Sequence, residues 1–306
     1  MLQRDAFIAE ITKRISKDKN IFFLSADFGA AALDELREKF PDNFIHCGIS
    51  EQAMLDVASG LALEGKKVFV YAMAPFLSLR AIEQTKCGAG LMNLPICLIS
   101  VGIGLGYADA GPTHYSTEDF ACFRAIVGSS IYTLADVATT KLIVNDMLDH
   151  PKFSYIRLDR NVLPDISPQI NSNDYQKGFK VYGKEDKKKI ALISHGKMLH
   201  SCLELYNKDK ENFICVDIFR SKPFPTELPK EISLCKGMVV VDEQSPSGNL
   251  SSCIFEGFSA QNYFPKIVSK SLPEKYIFEN GGRSYLLKRF GLSNEDIISA
   301  TKQIID

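Results

Sequence analysis

"EQAMLDVASGLALEGKKVFVYAM" (51–73) decides the fold. Its first part reads as an apolar helix over 51–64, and its last part, "KKVFVYAM" (66–73), as a β-rich run buried on both faces. A helix leading directly into such a strand is the repeating unit of an α/β sheet. The same kind of short run recurs at "IFFLSAD" (21–27), "NFIHCG" (43–48), "LPICLIS" (94–100), "SIYTLAD" (130–136) and "FSYIRLD" (153–159). Further helices are expected over 78–90 and 136–148. The pattern predicts a parallel sheet with helices on both faces, a three-layer α/β/α domain over 1–165. At the head of the 51–64 helix stands a lone carboxylate, Glu51, in "GISEQA" (48–53). Its residue type allows two roles there, an acid pairing with the helix dipole or an acid that shares a proton with something bound.

Downstream, the polar, Pro- and Gly-bearing stretch 166–188 reads as an interdomain connection, with room for one short strand. A second α/β unit follows over 189–306, with strands expected at 189–196, 212–219 and 237–244 and helices near 198–208, 248–258 and 293–305. Two domains suit 306 residues. The composition is 45 % hydrophobic and 24 % charged, and 36 basic against 37 acidic residues leave a formal charge of −1, which points to neither nucleic acid nor a membrane surface. The N-terminal "MLQRDAFIAEITKRISKD" is amphipathic with mixed charge, unlike a secretory or transit segment. No apolar run reaches the roughly 18 residues of a membrane span. Eight cysteines stand singly, mostly in apolar runs, and are expected to be buried reduced thiols of a cytoplasmic protein.

Two glycine-bearing turns invite phosphate readings. "VGIGLGYADAGPTH" (101–114) contains G-x-G-x-G after a strand, but Pro112 and polar residues follow where a dinucleotide fingerprint opens a helix, so a pocket-lining loop is expected. "SPSGNLSS" (245–252) is expected to cap a helix.

Taken together, "GISEQAMLDVASGLALEGKKVFVYAMAPFL", "GPTHYSTEDFACFRAI" and "YIRLDRNVLP" resemble the pyrimidine-binding domain of thiamine-diphosphate enzymes of the transketolase family. "VVVDEQSPSGNLSSCIFEGF" and the terminal "RSYLLKRFGLSNEDIISATKQII" are similar to that family's C-terminal domain. Full-length transketolases also carry an N-terminal domain, marked by G-D-G and a following Asn, that holds the diphosphate through a metal. No G-D-G occurs here, and Met1 precedes the first matching aspartate by only 26 residues. The resemblance therefore implies the C-terminal subunit of a split transketolase. It implies a separately encoded partner that carries G-D-G and the Mg2+ ligands, with none on this chain, and an α2β2 heterotetramer of two-fold symmetry.

The resemblance also implies roles for particular residues. Glu51 matches the glutamate that contacts the cofactor's aminopyrimidine. A proton shared with the ring nitrogen favours the imino tautomer, whose 4′-nitrogen can then take the C2 proton of the thiazolium, and apolar surroundings suit such sharing. Phe76 matches the aromatic that stacks on the pyrimidine, with Leu79 and Ile82 at i+3 and i+6 as further walls of the pocket. His114 matches the histidine that faces the reacting carbon and donates to a developing alkoxide. Asp27 matches an acid near the cofactor. Arg160 matches the arginine that binds a sugar phosphate, and Arg4 a second one.

Three departures set this chain apart. Val101 and Gly102 stand where many members carry a donor-reading histidine, Ala31 stands at a phosphate-holding serine, and Asp109 lies in a longer loop near the acid that senses hydroxyl configuration. They point away from the usual ketose phosphates. The activity implied is transfer of a two-carbon ketol unit from a ketose to an aldose. The alternatives are the β subunit of a 2-oxo acid dehydrogenase, a relative of deoxyxylulose-phosphate synthase, and a scaffold that has kept the fold and lost catalysis.

Overall fold

The computed structural model describes residues 1–26 and 30–305. Its strands are β1 (Ile21–Ser25), β2 (Phe44–His46), β3 (Lys67–Met73), β4 (Ile96–Val101), β5 (Ser130–Thr133), β6 (Ser154–Leu158), β7 (Lys180–Tyr182), β8 (Ile190–Ser194), β9 (Phe213–Asp217), β10 (Arg220–Lys222), β11 (Gly237–Val241) and β12 (Ile267–Lys270). They form a seven-stranded sheet ordered β10-β5-β6-β4-β3-β1-β2 and a five-stranded sheet ordered β12-β11-β8-β9-β7.

Alternation along β3 explains why both faces of the first sheet are covered. Val68 and Val70 join a core with Met54, Leu55 and Ala58 of the helix Glu51–Leu63. Phe69 and Tyr71 point the other way, to Phe7 and Ile11 of the helix Gln3–Ile15 and Ile143 and Val144 of the helix Val137–Asp149. A strand buried on both sides needs a helix on each. The second sheet repeats the arrangement. Ile193 and Val240 continue the first core, while Leu192 and Val241 pack on Leu199 of the helix Gly196–Lys208 and Ile297 of the helix Asn294–Ile305. One apolar cluster thus runs from sheet to sheet.

The expectation of purely parallel sheets is corrected at two edges. β10 pairs antiparallel with β5, so a strand from the second half of the chain closes the first sheet, and β7 pairs antiparallel with β9. The stretch 166–188 carries β7 and a short helix, Ser172–Lys177, with a full Asn171/Asp174 capping box. The helix expected over 78–90 is not a regular one. Phe76–Arg80 and Lys86–Leu91 are π-helical, separated by a single α-turn, Ile82–Thr85. Such wide turns shift the side-chain spacing away from the α-helical period. The cysteine expectation holds for Cys97, Cys202, Cys215, Cys235 and Cys253, whereas Cys47 and Cys122 are half-buried and Cys87 is exposed. "SPSGNLSS" does cap a helix, with Asn249 Oδ1 accepting from the Ser252 N–H. Among the described residues no helix is long and apolar enough to cross a membrane.

Candidate active site

In an α/β sheet, ligands gather outside the carboxyl ends of the strands, and there the first sheet sets its loops side by side. β6 leads to Arg160, β4 to the loop 102–117, β3 to Phe76, and β2 to Glu51. The spatial order β6-β4-β3-β1-β2 therefore lines up residues far apart in sequence.

Glu51 opens its helix and is only 2 % exposed. Its Oε2 accepts from Arg80 Nη1 at 2.6 Å, so the guanidinium offsets a buried negative charge. Arg80 in turn lies over the Phe76 ring, 4.4 Å from its centroid. The π-turn that carries both residues lets them meet, with Ser78 Oγ donating to the Ala74 carbonyl inside it. Phe76 is half-buried and meets the His114 imidazole edge-on, centroids 5.3 Å apart. The Tyr107 ring also neighbours His114, centroids 6.3 Å apart, and the Arg160 guanidinium lies 4.4 Å from the Tyr107 centroid. Arg160 Nη1 donates to Asp109, and this bond holds the Asp109 carboxyl below the usual carboxylate range.

A continuous strip results: Glu51, Arg80, Phe76, His114, Tyr107, Arg160, Asp109. The loop 102–117 can lie close to the strand ends because of Gly102. It adopts φ +85°, and a side chain there would run into the Tyr107 ring. His114 Nδ1 is 2.9 Å from Thr113 Oγ1, which orients the imidazole within the loop.

Four of the expected site residues fall in this strip: Glu51, Phe76, His114 and Arg160. Ile82 is half-buried and packs against the apolar core, and Leu79 is 43 % exposed. Arg4 is half-buried and bonded to Asp5 at 2.8 Å, and its pKa is raised because Tyr71 and Asp5 outweigh the cost of burial. Its neighbour Gln3 accepts from the Asp159 N–H at 2.9 Å, which ties that helix to the strand end bearing Arg160. Asp27 lies outside the described residues. Arg80 and Tyr107 were not singled out from the sequence. The available signals were an arginine closing the apolar "FLSLR" and an aromatic amid the glycines of "GIGLGY".

The donor set fits an aminopyrimidine: a buried carboxylate for a ring nitrogen, an aromatic face beside it and an imidazole at that ring's edge. Among the described residues no group of three or more His, Cys, Asp or Glu is arranged to hold a metal ion.

Residues 2–165 match the family model of the transketolase pyrimidine-binding domain. The chain belongs to this family. One of the subunits of the apulose-4-phosphate transketolase of Phocaeicola vulgatus is 26 % identical over 99 % of this chain and 97 % of its own length. Human transketolase is 27 % identical over 99 % of this chain but only 49 % of its own length, so this chain spans about half of that long relative. Among solved structures, one described as "Split gene transketolase, inactive beta4 tetramer" superposes with a TM-score of 0.87 at 25 % identity, covering 99 % of this chain and 98 % of that one. The fold is thus that of a transketolase pyrimidine-binding domain followed by its C-terminal domain, and the chain corresponds throughout to the C-terminal subunit of a split transketolase.

Proposed function

We propose that this chain is the aminopyrimidine-binding subunit of a two-subunit, thiamine-diphosphate-dependent transketolase that moves a two-carbon ketol unit from a ketose phosphate to an aldose phosphate. The observation that carries the reading is the strip from Glu51 to Arg160, which spans from a proton-sharing acid to a phosphate-binding cation.

When bound, thiamine diphosphate would supply a carbon nucleophile for a ketose carbonyl. Glu51 holds a proton at the aminopyrimidine ring nitrogen, and its burial keeps water from competing for that bond. Phe76 offers an aromatic face for the ring, and Leu79 and Ile82 follow at i+3 and i+6 as further candidate walls, Leu79 exposed and Ile82 against the core. His114 Nε2 is the atom placed to donate to a substrate oxygen, since Nδ1 faces Thr113. Arg160 exchanges Asp109 for a phosphate, with Arg4 as a second cation at the same end of the sheet.

Mg2+ and the diphosphate belong on a separate N-terminal subunit with G-D-G, in an α2β2 assembly, and the singly placed thiols suit the cytoplasm. Side chains for both ends of a sugar phosphate favour a transketolase over a 2-oxo acid dehydrogenase β subunit, which would have less use for Arg160. Two relatives named for apulose 4-phosphate make that sugar phosphate the first donor to assay. Calorimetric titration of thiamine diphosphate and Mg2+ into this chain, its partner and the complex tests the proposal. Binding in the complex alone is expected, and a well-formed complex that binds nothing overturns it in favour of a scaffold.

A further inference from the structure

Behind the strip, at the junction of the two sheets, Arg283 is the first residue of the helix Arg283–Arg289 and its side chain is only 9 % exposed. It is bonded on two sides. Nη1 donates to Asp159 Oδ1 and Oδ2 at 2.9 and 2.7 Å, while Nε and Nη2 donate to Glu243 Oε1 and Oε2 at 2.8 and 2.5 Å. Both carboxylates are buried, and each belongs to a segment that shapes the strip.

Asp159 immediately precedes Arg160. Its Oδ1 also accepts from the Asn161 N–H at 2.7 Å, so the carboxylate shapes the turn on which Arg160 stands. Glu243 presses on the loop that carries His114. Gly104 has φ +57°, and any side chain there would collide with the Glu243 carboxylate. Gly104 exchanges backbone hydrogen bonds with Ser116 at 2.9 Å, two residues beyond His114. The residues after Glu243 grip the same loop, with Gln244 Nε2 donating to the Ser116 carbonyl at 2.8 Å and the Ser245 N–H to the Thr117 carbonyl at 2.9 Å.

We propose that Arg283 is a positioning residue that locks the Arg160 turn to the His114 loop, so that the phosphate end and the reacting end of a sugar phosphate are read at one fixed separation. The inference rests on the roles given to Arg160 and His114 under Proposed function. It assigns the C-terminal domain a part in substrate selection. A planar guanidinium with five donors can serve two carboxylates at once, whereas an ammonium is a point charge that cannot hold the same two-sided geometry.

The test compares wild type with Arg283→Lys, and with Glu243→Gln should the first variant fold poorly. Hydrogen exchange on the chain alone is expected to speed up in 102–117 and in 159–162 together, while β3 and β4 stay protected. Faster exchange confined to 276–289 overturns the brace. In the assembled enzyme, kcat/KM is expected to fall for both donors because the His114 loop serves both, and to fall about tenfold further for the phosphorylated donor, the scale of one misplaced charge-assisted hydrogen bond at Arg160. An equal fall for both sugars, as a loss of folded protein gives, overturns the selectivity role. If both loops loosen together but wild type shows no preference for phosphorylated donors, the brace stands and the phosphate reading of Arg160 fails.

Discussion

Two sets of arginines pair with carboxylates in this molecule, and their surroundings differ. In the strip at the strand ends, the side chains of Arg80 and Arg160 are 40 % and 39 % exposed and lie on Phe76 and Tyr107. At the seam between the sheets, Arg157 and Arg283 are 1 % and 9 % exposed, and several hydrogen bonds fix each of them. Of the two strip pairs only Arg160–Asp109 has both side chains exposed, and such a pair contributes only about 0–1 kcal/mol, so it can give up its carboxylate for a ligand, whereas Arg80 reaches from the surface to the buried Glu51. A buried pair costs about 3–5 kcal/mol to break from one side, so it holds shape. The same chemistry thus serves exchange in one region and rigidity in the other.

The sharpest way to break the comparison is at Glu51, the one buried acid in the strip. Glu51→Gln keeps the shape and the hydrogen-bonding reach toward Arg80 but cannot hold a proton for the cofactor. Turnover of the assembled enzyme is expected to drop by about 10²–10⁴, the usual worth of an acid–base group, with a thermal midpoint close to wild type. Full turnover sinks the assignment of Glu51 as the proton-sharing acid.

The seam is probed next. Arg157 donates to both Asp119 oxygens at 2.7 and 3.1 Å and to Thr133 Oγ1 at 2.8 Å, and Tyr155 donates to Asp119 as well. Burial first, and then the Asp119 charge, push the Tyr155 hydroxyl far above its ordinary pKa, so it remains a donor at any working pH. Arg157→Met strands the Asp119 charge and is expected to cost about 3–5 kcal/mol in denaturant unfolding. A loss below about 1 kcal/mol removes the contrast between the regions.

Arg160→Ala addresses the exchangeable set. KM for a phosphorylated donor is expected to rise about tenfold while the unphosphorylated sugar is unaffected, and folding stability should change by less than about 0.5 kcal/mol. An equal rise for both sugars counts against a phosphate site.

How much of this was legible in sequence follows from the same physics. Strands such as "KKVFVYAM" announce themselves because burial on both faces demands continuous apolar residues. β10 and β12, "RSK" and "IVSK", are short edge strands with polar or half-exposed residues and carry no such signature. Glu51, Phe76, His114 and Arg160 are singled out by the resemblance, since one helix-leading Glu or one loop His is by itself ordinary. Arg80 was hidden by an assumed α-helical spacing that the π-turn breaks. Arg157 did leave a trace, as a charge in the middle of the apolar strand "SYIRL", where only a buried partner makes sense. That partner, Asp119, lies 38 residues away and could not be paired without the fold.

The smallest expected effect comes from an acid that has what neither set has, burial without an arginine. Asp217 ends β9, is 2 % exposed, and its Oδ1 has no hydrogen-bond partner among the described residues. Burial first, and then the charge of Asp136, raise its pKa well above the ordinary carboxylate value. Asp174 adds to the rise and Lys180 opposes it. As pH climbs from roughly 4, the unfolded chain releases this proton while the folded chain keeps it, so stability is lost with rising pH up to the folded pKa. Asp217→Asn keeps the shape and removes the titration. It is expected to stabilise the chain at neutral pH by on the order of 1 kcal/mol, and to make no difference well below pH ~4, where wild type is protonated in both states. Thermal unfolding of both proteins across that range decides it. A variant less stable than wild type at neutral pH means that Asp217 is ionised and paired in the fold, and that a buried carboxylate here does not need an arginine beside it.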